Sequence, residues 1–264
     1  MTMRVLKSVA AVLMLLALAG PALAQTAVPL PSDPAAMTPE YCRVPRSVFV
    51  DGSRLALTAK RLAKGDALTV VALGSSSTVG LNASDRSLAW PARLEGDLRR
   101  RLPGRTIVVH NRGRPREDAE HMLKRLEADV LALKPTLVVW ETGTAEAVRQ
   151  MDVEAFSAHL QAGIERIAQA GADVMLVTPQ YSRETARLIA YQPYIDAMNA
   201  MGARSDVLLF PRFEIMRHWV ESGQMQLDSL TPAQVAATAD RLYDCLGRQM
   251  ARVIVYAIEP DTAR

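Results

Sequence analysis

The stretch Val70–Gly80 constrains the fold of this chain more than any other part of the sequence. Its first part, Val70–Leu73, is an apolar run of β-branched character that ends at Gly74. Such a run predicts a buried strand that ends in a tight turn. The small polar residues Ser75–Thr78 follow at once and suit the start of a helix. The segment therefore predicts a strand, a turn that carries hydroxyl groups, and a helix.

The rest of the chain alternates strand patterns with amphipathic helical patterns. Further strands are predicted at 106–110, 136–140, 173–178 and 207–210, and the clearest helices at 88–101, 153–167 and 242–253. The spacing of Met122, Leu126, Val130 and Leu133 predicts one more helix between the second and third strands. This alternation indicates βαβ units in a parallel sheet that is covered on both faces. We therefore expect an α/β fold: a single flavodoxin-like, three-layer domain whose five-stranded parallel sheet has the order 2-1-3-4-5.

Three polar segments follow predicted strand ends: Ser76, residues 111–116 and residues 143–146. Ligands bind in such sheets beyond the carboxyl ends of the strands, so we expect the three segments to meet in one crevice. The second segment carries Arg112, Arg114 and Arg116, which favour an anionic ligand. The alternative is that these arginines pair with the acidic residues that follow them in the sequence.

The first 24 residues have the pattern of a secretory signal peptide. A basic start is followed by the apolar run Val9–Ala19, which is too short to span a membrane comfortably, and by the A-x-A cleavage site Ala22–Ala24. The alternative is an uncleaved anchor. We expect cleavage before Gln25, a mature protein without a membrane span, and a periplasmic or secreted location.

Residues 25–41 are rich in proline and predict an extended tether ahead of a domain at residues 42–258. The chain has two cysteines, Cys42 and Cys245. Because an exported protein folds in an oxidising compartment, we expect them to form a disulfide. Two buried free thiols are the alternative.

Charge and metal-ligand patterns narrow the classes of partner. The 31 basic residues nearly balance the 28 acidic ones, which argues against a nucleic-acid partner. The four histidines are scattered, and neither an H-x-x-x-H nor a C-x-x-C spacing occurs. We therefore predict no metal and no cofactor.

The serine turn resembles the first block of the SGNH (GDSL-like) hydrolases, G-D-S-x-T-x-G. The matching residues are Gly74, Ser76, Thr78 and Gly80, and Ser75 stands where many members have Asp. The resemblance extends over residues 40 to 256 and implies the same flavodoxin-like fold. It also implies serine ester hydrolysis, with Ser76 at the position of the nucleophile.

The second and third blocks depart from the family pattern on the side of the oxyanion. In the family's N-R-G-x-x-G block, Asn111 is retained, but Arg116 stands where a donor glycine is expected. We expect Arg116 to need a negative φ, unlike glycine. In the third block, G-T-N-D, Ala145 replaces the Asn donor, a loss that typically costs ~10²–10³-fold in rate. The resemblance places these residues on the oxyanion or ligand-binding side: Gly74, Ser75, Asn111, Arg116, Gly143 and Ala145.

The last block, D-x-x-H, supplies the orienting Asp and the base His in the family. Matching its flanking residues places Gln234 at the Asp position and Ala237 at the His position. A rival register keeps Asp228 but places Thr231 at the His position. Neither register contains a histidine, and His218 is the histidine nearest in sequence that could replace it.

Two main functions follow. The first is a degenerate member, a pseudoenzyme that keeps Ser76 and binds a small-molecule ester or an anionic ligand, such as a cell-envelope carbohydrate. The alternative is an active serine ester hydrolase, a carbohydrate O-deacetylase or a lipid esterase, with a non-standard base. A scaffold role in a periplasmic complex is a third interpretation.

Overall fold

In a computed structural model of the chain, the structure describes residues 38–49, 54–204 and 206–259. The chain divides into two units, Met1–Ser32 and Asp33–Arg264, and all described residues belong to the second. The predicted signal peptide and residues 25–37 of the predicted tether lie outside the described residues. Among the helices described, none is both long and apolar enough to cross a membrane.

The centre of the fold is a parallel sheet of five strands in the order β2-β1-β3-β4-β5. This confirms the predicted fold class and strand order. Every residue of β3, β4 and β5 is buried, as expected for strands covered by helices on both faces. The strands are β1 Leu68–Gly74, β2 Ile107–Gly113, β3 Leu137–Glu141, β4 Asp173–Val177 and β5 Val207–Phe210.

Helices alternate with the strands and cover the sheet. The longest, α7 and α11, have apolar residues at helical spacing, and these side chains are buried. In the described part of the chain the helices are α1 Ala56–Ala63, α2 Ser76–Val79, α3 Trp90–Arg101, α4 Ala119–Lys124, α5 Leu126–Asp129, α6 Thr144–Arg149, α7 Val153–Gln169, α8 Arg183–Leu188, α9 Gln192–Gly202, α10 Arg212–Glu221 and α11 Pro232–Ile258.

Two segments differ from the sequence-based prediction. Strand β2 continues to Gly113, so that Ala72 of β1 pairs with Asn111 and Gly74 pairs with Gly113. The helical pattern between β2 and β3 forms α4, α5 and a 3-10 turn instead of one helix. Its break lies at Arg125, whose buried guanidinium binds Glu117, Asp129 and the carbonyl of Arg112. These contacts favour a local backbone bend over a continuous helix.

Cys42 and Cys245 form a disulfide, as predicted. Both cysteines are fully buried, and the bridge ties the N-terminal 3-10 turn Glu40–Cys42 to α11. Helix α11 also packs closely on α3 at Gly247, where a Cβ would lie 2.6 Å from Cβ of Arg93. The disulfide and this close contact together fix the position of the last helix.

Candidate functional site

The serine turn joins β1 to α2 through a backbone that requires glycine. A Cβ on Gly74 would lie 2.2 Å from the Thr78 hydroxyl and 3.0 Å from Cβ of Glu141. Gly80 ends α2 with φ of +97°, in the left-handed region that glycine adopts most readily. The glycines that bracket the turn therefore allow Ser75, Ser76 and Ser77 to lie at the carboxyl end of the sheet.

These three serines line a cavity of about 570 Å³, which we call the serine cavity. A volume of this size suits a small-molecule ligand. The serine turn lies on one side and the first turns of α11 on the other. Its lining also includes charged residues from the second polar segment, the end of β3 and the end of α6, and an aliphatic surface: Arg116, Glu141, Arg149, Leu81, Val148, Leu227, Leu230, Val235 and Leu242.

The Ser76 hydroxyl is held from the side of the second block. The backbone N–H of Arg116 donates to Ser76 Oγ at 3.1 Å. Arg116 adopts a φ of +64°, so the expectation that this residue needs a negative φ was wrong. Arg149 explains the conformation, because its Nη2 donates to the Arg116 carbonyl at 2.6 Å while its Nη1 binds Asp118 at 2.7 Å. The chain thus keeps a backbone donor at Ser76 without a glycine at residue 116.

A buried ion pair lies beneath the turn. Arg212 and Glu141 are 1% and 2% exposed, and Arg212 Nη2 lies 3.1 Å from Glu141 Oε1. Glu141 Oε2 accepts hydrogen bonds from the hydroxyls of Ser77 and Thr78, both at 2.6 Å. Arg212 also donates to Ser77 Oγ at 2.9 Å and to the Thr178 carbonyl at 2.9 Å. Hydrogen bonds from within the fold therefore stabilise both charges of this buried pair.

The environment of Glu141 keeps it ionised. Burial by itself would raise the pKa of Glu141, but the charge of Arg212 and the hydroxyl donors outweigh burial and lower this pKa. A carboxylate that is stabilised in its charged form is a poor acceptor of a proton from a serine. Glu141 therefore supports the serine turn through Ser77 and Thr78 as the ionised partner of Arg212.

A second buried carboxylate, Glu146, shapes the third block. Its Oε2 accepts from the N–H of Gly143 at 2.9 Å, and its Oε1 accepts from the Thr142 hydroxyl at 2.8 Å and the N–H of Ala119. Burial raises the pKa of Glu146 and dominates over these hydrogen bonds. Glu146 holds the turn at the start of α6, where Ala145 presents a methyl group, not a donor, to the serine cavity.

The remaining oxyanion-side residues lie around the same turn. The side chain of Asn111 donates to the Thr78 carbonyl at 2.7 Å and accepts from the N–H of Gly113 at 2.9 Å. Asn111 therefore braces α2 and is not part of the cavity lining. Arg112 and Arg114 lie beside it but contact Asp129, through its carbonyl and its carboxylate respectively. Arg116 is the one member of the predicted arginine group that lines the serine cavity.

The positions assigned to the family's Asp and His do not line the serine cavity. Gln234 Oε1 accepts from the N–H and the hydroxyl of Thr231, both at 2.9 Å, and so caps α11. Gln234 and Ala237 are exposed and line a neighbouring depression. In the rival register, Asp228 caps α8 by accepting from the N–H groups of Arg183 and Glu184, both at 3.1 Å. The residues of α11 that line the serine cavity are Val235, Thr238, Ala239, Leu242 and Tyr243.

No histidine is among the described residues that line the serine cavity. His218 lies on α10, and the exposed His121 contacts Asp118 at 2.7 Å. Sequence reasoning missed Glu141 and Arg212, which form the buried pair. Their signal is a charged residue directly after an apolar strand: Glu141 ends β3, and Arg212 follows β5 after a single proline. The carboxyl end of a parallel strand is where such a residue reaches the ligand crevice.

Family similarity agrees with this geometry. Residues 41–260 match the non-GDSL lipase-like family. The chain belongs to that family. The match covers the sheet, the serine turn and α11, and it confirms the resemblance to SGNH (GDSL-like) hydrolases that the serine turn carries. Among curated proteins, no sequence matches the chain significantly.

Solved structures of other proteins have a similar fold. A lipase/acylhydrolase from Enterococcus faecalis is 23% identical, with 69% of this chain and 95% of the other covered and a TM-score of 0.55. A catalytic mutant of Axe2, an acetylxylan esterase from Geobacillus stearothermophilus, is 19% identical, with coverages of 72% and 95% and a TM-score of 0.57. At these identities the similarity establishes the fold.

Proposed function

We propose that this protein is a degenerate member of its family that binds a small molecule in the serine cavity without hydrolysing esters at a rate typical of serine esterases. One observation carries the proposal. The described residues that line the cavity include no histidine. The carboxylate among them, Glu141, is ionised and forms an ion pair with Arg212. The cavity and the serine are therefore present, and the proton acceptor is missing.

The hydrogen bonding at Ser76 supports this proposal. A serine hydroxyl is a weak nucleophile at neutral pH unless a base takes its proton. Ser76 Oγ accepts a hydrogen bond from the N–H of Arg116, and among the described residues none accepts a hydrogen bond from Ser76 Oγ. Contacts of this kind can hold an oxygen of a ligand, but they do not activate the hydroxyl for attack.

An active esterase with a non-standard base is the second candidate, and one observation favours it. The N–H of Arg116 donates to Ser76 Oγ at 3.1 Å, so a backbone donor is present at the serine although the glycine expected there is absent. The fold is also that of a lipase/acylhydrolase and of an acetylxylan esterase, which are enzymes that act on esters. The base would have to come from outside the described lining of the cavity.

Export to the periplasm or the cell exterior is part of the proposal. The disulfide between Cys42 and Cys245 supports it, because such bonds persist in oxidising compartments. We expect intact-mass measurement of the exported protein to give a chain that starts at Gln25. A mass that includes Met1 would contradict cleavage.

The deciding experiment compares ester hydrolysis by the wild type and by Ser76→Ala. We expect both proteins to show the same low rate on p-nitrophenyl acetate, because no described residue of the cavity lining accepts a hydrogen bond from Ser76. Ser157→Ala is the matched control, since Ser157 lies on α7 and bonds only a carbonyl of its own helix in the described part of the chain. A fast wild type that loses its rate in Ser76→Ala alone would overturn the proposal in favour of the esterase.

A further inference from the structure

We propose that the serine cavity selects an alkyl carboxylate, with the anionic head at Arg116 and the chain along the aliphatic surface. This inference rests on the proposed binding function and deepens it by naming the ligand class. A neutral ester of the same length, although it fits the family's chemistry, would leave the Arg116 guanidinium without a counter-charge.

The charge balance of the cavity points to an anion. Three charged residues line the cavity: Arg116, Glu141 and Arg149. Glu141 is paired with Arg212, and Arg149 is paired with Asp118. The guanidinium of Arg116 has no hydrogen bond or ion pair with any residue that the structure describes. Among the described residues of the lining, Arg116 therefore carries the one positive charge without a counter-charge, and its backbone N–H binds Ser76 Oγ.

The backbone of Arg116 is held in place by two hydrogen bonds. Its N–H donates to Ser76 Oγ at 3.1 Å, and Arg149 holds its carbonyl at 2.6 Å. The Arg116 side chain therefore leaves the backbone at the residue whose N–H binds the Ser76 hydroxyl. A carboxylate has two oxygens, each able to accept more than one hydrogen bond, and guanidinium groups bind it in a bidentate manner. The Ser76 hydroxyl and the Arg116 guanidinium form a donor set that matches one carboxylate, while the Arg116 N–H holds Ser76 Oγ in place.

The apolar part of the cavity lining favours an alkyl chain. It is larger than the polar part, which includes Gln180, Ser182, Thr185, Thr238 and Tyr243, and its aliphatic side chains gain free energy from contact with CH₂ groups. Two of them, Leu81 and Val148, are 58% and 55% exposed, which is unusually high for large apolar residues at a cavity. A chain that continues from the head group would cover both. The aliphatic residues are Leu81, Val148, Leu227, Leu230, Val235 and Leu242.

The test is calorimetric titration of the mature protein with four probes: decanoate, 1-decanol, acetate and decyltrimethylammonium. Decanoate has both the anionic head and the alkyl chain. Decanol lacks the anion, acetate lacks the chain, and decyltrimethylammonium has a head of the opposite charge. We expect decanoate to bind at least about tenfold more tightly than each other probe, because a charged hydrogen-bonded pair and chain burial act together. Equal binding of decanoate and decanol, or tighter binding of the cation, would overturn the inference.

Two variants with matched controls locate the head and the chain. Arg116→Gly keeps the N–H and the left-handed backbone but removes the charge, and we expect about tenfold weaker decanoate binding with unchanged decanol binding. Arg114→Gln, whose arginine is paired with Asp129, should change neither. Val148→Ser should weaken decanoate, whereas Leu188→Ser, at an 81% exposed leucine outside the cavity, should not. Equal effects of Arg116→Gly and Arg114→Gln would contradict the assignment of the head.

The outcomes separate this inference from the proposed function. If the wild type neither hydrolyses esters nor binds decanoate, the alkyl carboxylate is not the ligand, but the non-hydrolytic proposal is not contradicted. A wild type that hydrolyses esters through Ser76 refutes the non-hydrolytic proposal. In that case the comparison of Arg116→Gly with Arg114→Gln still tests whether the cavity selects a carboxylate.

Discussion

The two sides of the serine cavity differ in how their residues are held. On the side of the serine turn, Ser77 and Thr78 are joined by hydrogen bonds to the buried pair Glu141–Arg212. On the side of α11, the lining residues Val235, Ala239 and Leu242 contact the cavity through apolar groups. One side is a connected polar network, and the other is mainly aliphatic, with Thr238 and Tyr243 as its polar members.

The difference indicates which part of an ester-hydrolysing site this chain could lose. In the buried network each polar group has a partner, so removing one member leaves another unsatisfied in a low-dielectric interior. An aliphatic surface tolerates exchange of one apolar residue for another of similar size. This is consistent with our proposal, in which the oxyanion side is retained as a structure and the base side has become a ligand-binding surface.

Breaking the buried pair should have the largest effect on stability. Arg212→Met leaves the carboxylate of Glu141 buried without its counter-charge, and we expect a loss of roughly 3–5 kcal/mol in the free energy of unfolding. Urea denaturation measures it. Arg217→Met is the control on the same helix, because Arg217 pairs with Glu214 at the surface and should contribute less than about 1 kcal/mol. Similar losses in both variants would show that the buried network beneath the serine turn contributes no more to stability than a surface ion pair does.

The disulfide tests how the other side is fixed. Replacing both cysteines by serine should lower the free energy of unfolding by about 2–5 kcal/mol, because the bridge closes a loop between residues 203 positions apart. The measurement is urea denaturation without reductant, with reduced wild type as the comparison. If the double variant unfolded at the same urea concentration as the oxidised wild type, the packing of α11 would hold it without a contribution from the bridge.

Restoring a base on α11 would sharpen the comparison at the level of chemistry. Val235 and Thr238 have the D-x-x-H spacing and line the serine cavity. We expect Ala145→Asn with Val235→Asp and Thr238→His to raise p-nitrophenyl acetate hydrolysis by about 10²-fold, the lower end of what a positioned base contributes. The gain should disappear when Ser76→Ala is added.

The matched control for this rescue uses the register expected from the sequence: Ala145→Asn with Gln234→Asp and Ala237→His. Both α11 positions lie outside the cavity lining, so this variant should remain as slow as the wild type. Faster hydrolysis by the control than by the cavity-lining variant would mean that the helix presents a different face to Ser76.

Acid titration should give the smallest effect. The pKa of Glu141 is lowered in the folded protein from its ordinary value of 4.5, so its contribution to stability is present above that value and is lost as the pH falls through the folded pKa. Each pH unit of difference between the two pKa values corresponds to about 1.4 kcal/mol. Glu146 acts in the opposite sense, because its raised pKa favours protonation in the folded state.

Urea denaturation between about pH 5 and about pH 3 measures this dependence. We expect the wild type to lose stability on acidification and Glu141→Gln to show a flatter pH profile. A wild-type profile no steeper than that of Glu141→Gln would contradict the assignment of an ionised, paired carboxylate beneath the serine turn.

The sequence by itself determined the architecture and the place of the serine. Apolar strand runs and helical periodicities are local patterns, and their alternation specifies a parallel sheet with its ligand crevice at the carboxyl ends of the strands. Ser76, Gly74 and Gly80 belong to one continuous segment, so their spacing could be read directly. The pairing of Cys42 with Cys245 also followed, because a chain with two cysteines has one possible intramolecular bridge and the expected export favours its formation.

The tertiary structure alone decided what surrounds Ser76. Glu141 and Arg212 lie 71 residues apart, and their pairing depends on the adjacency of strand ends, which no local pattern encodes. The left-handed backbone of Arg116 depends on a carbonyl held by Arg149, 33 residues away. The face that α11 turns to the cavity depends on its packing and its disulfide, so that Val235 and Thr238 line the site instead of Gln234 and Ala237. These contacts are between distant parts of the chain, and it is the folded packing of the elements that selects them.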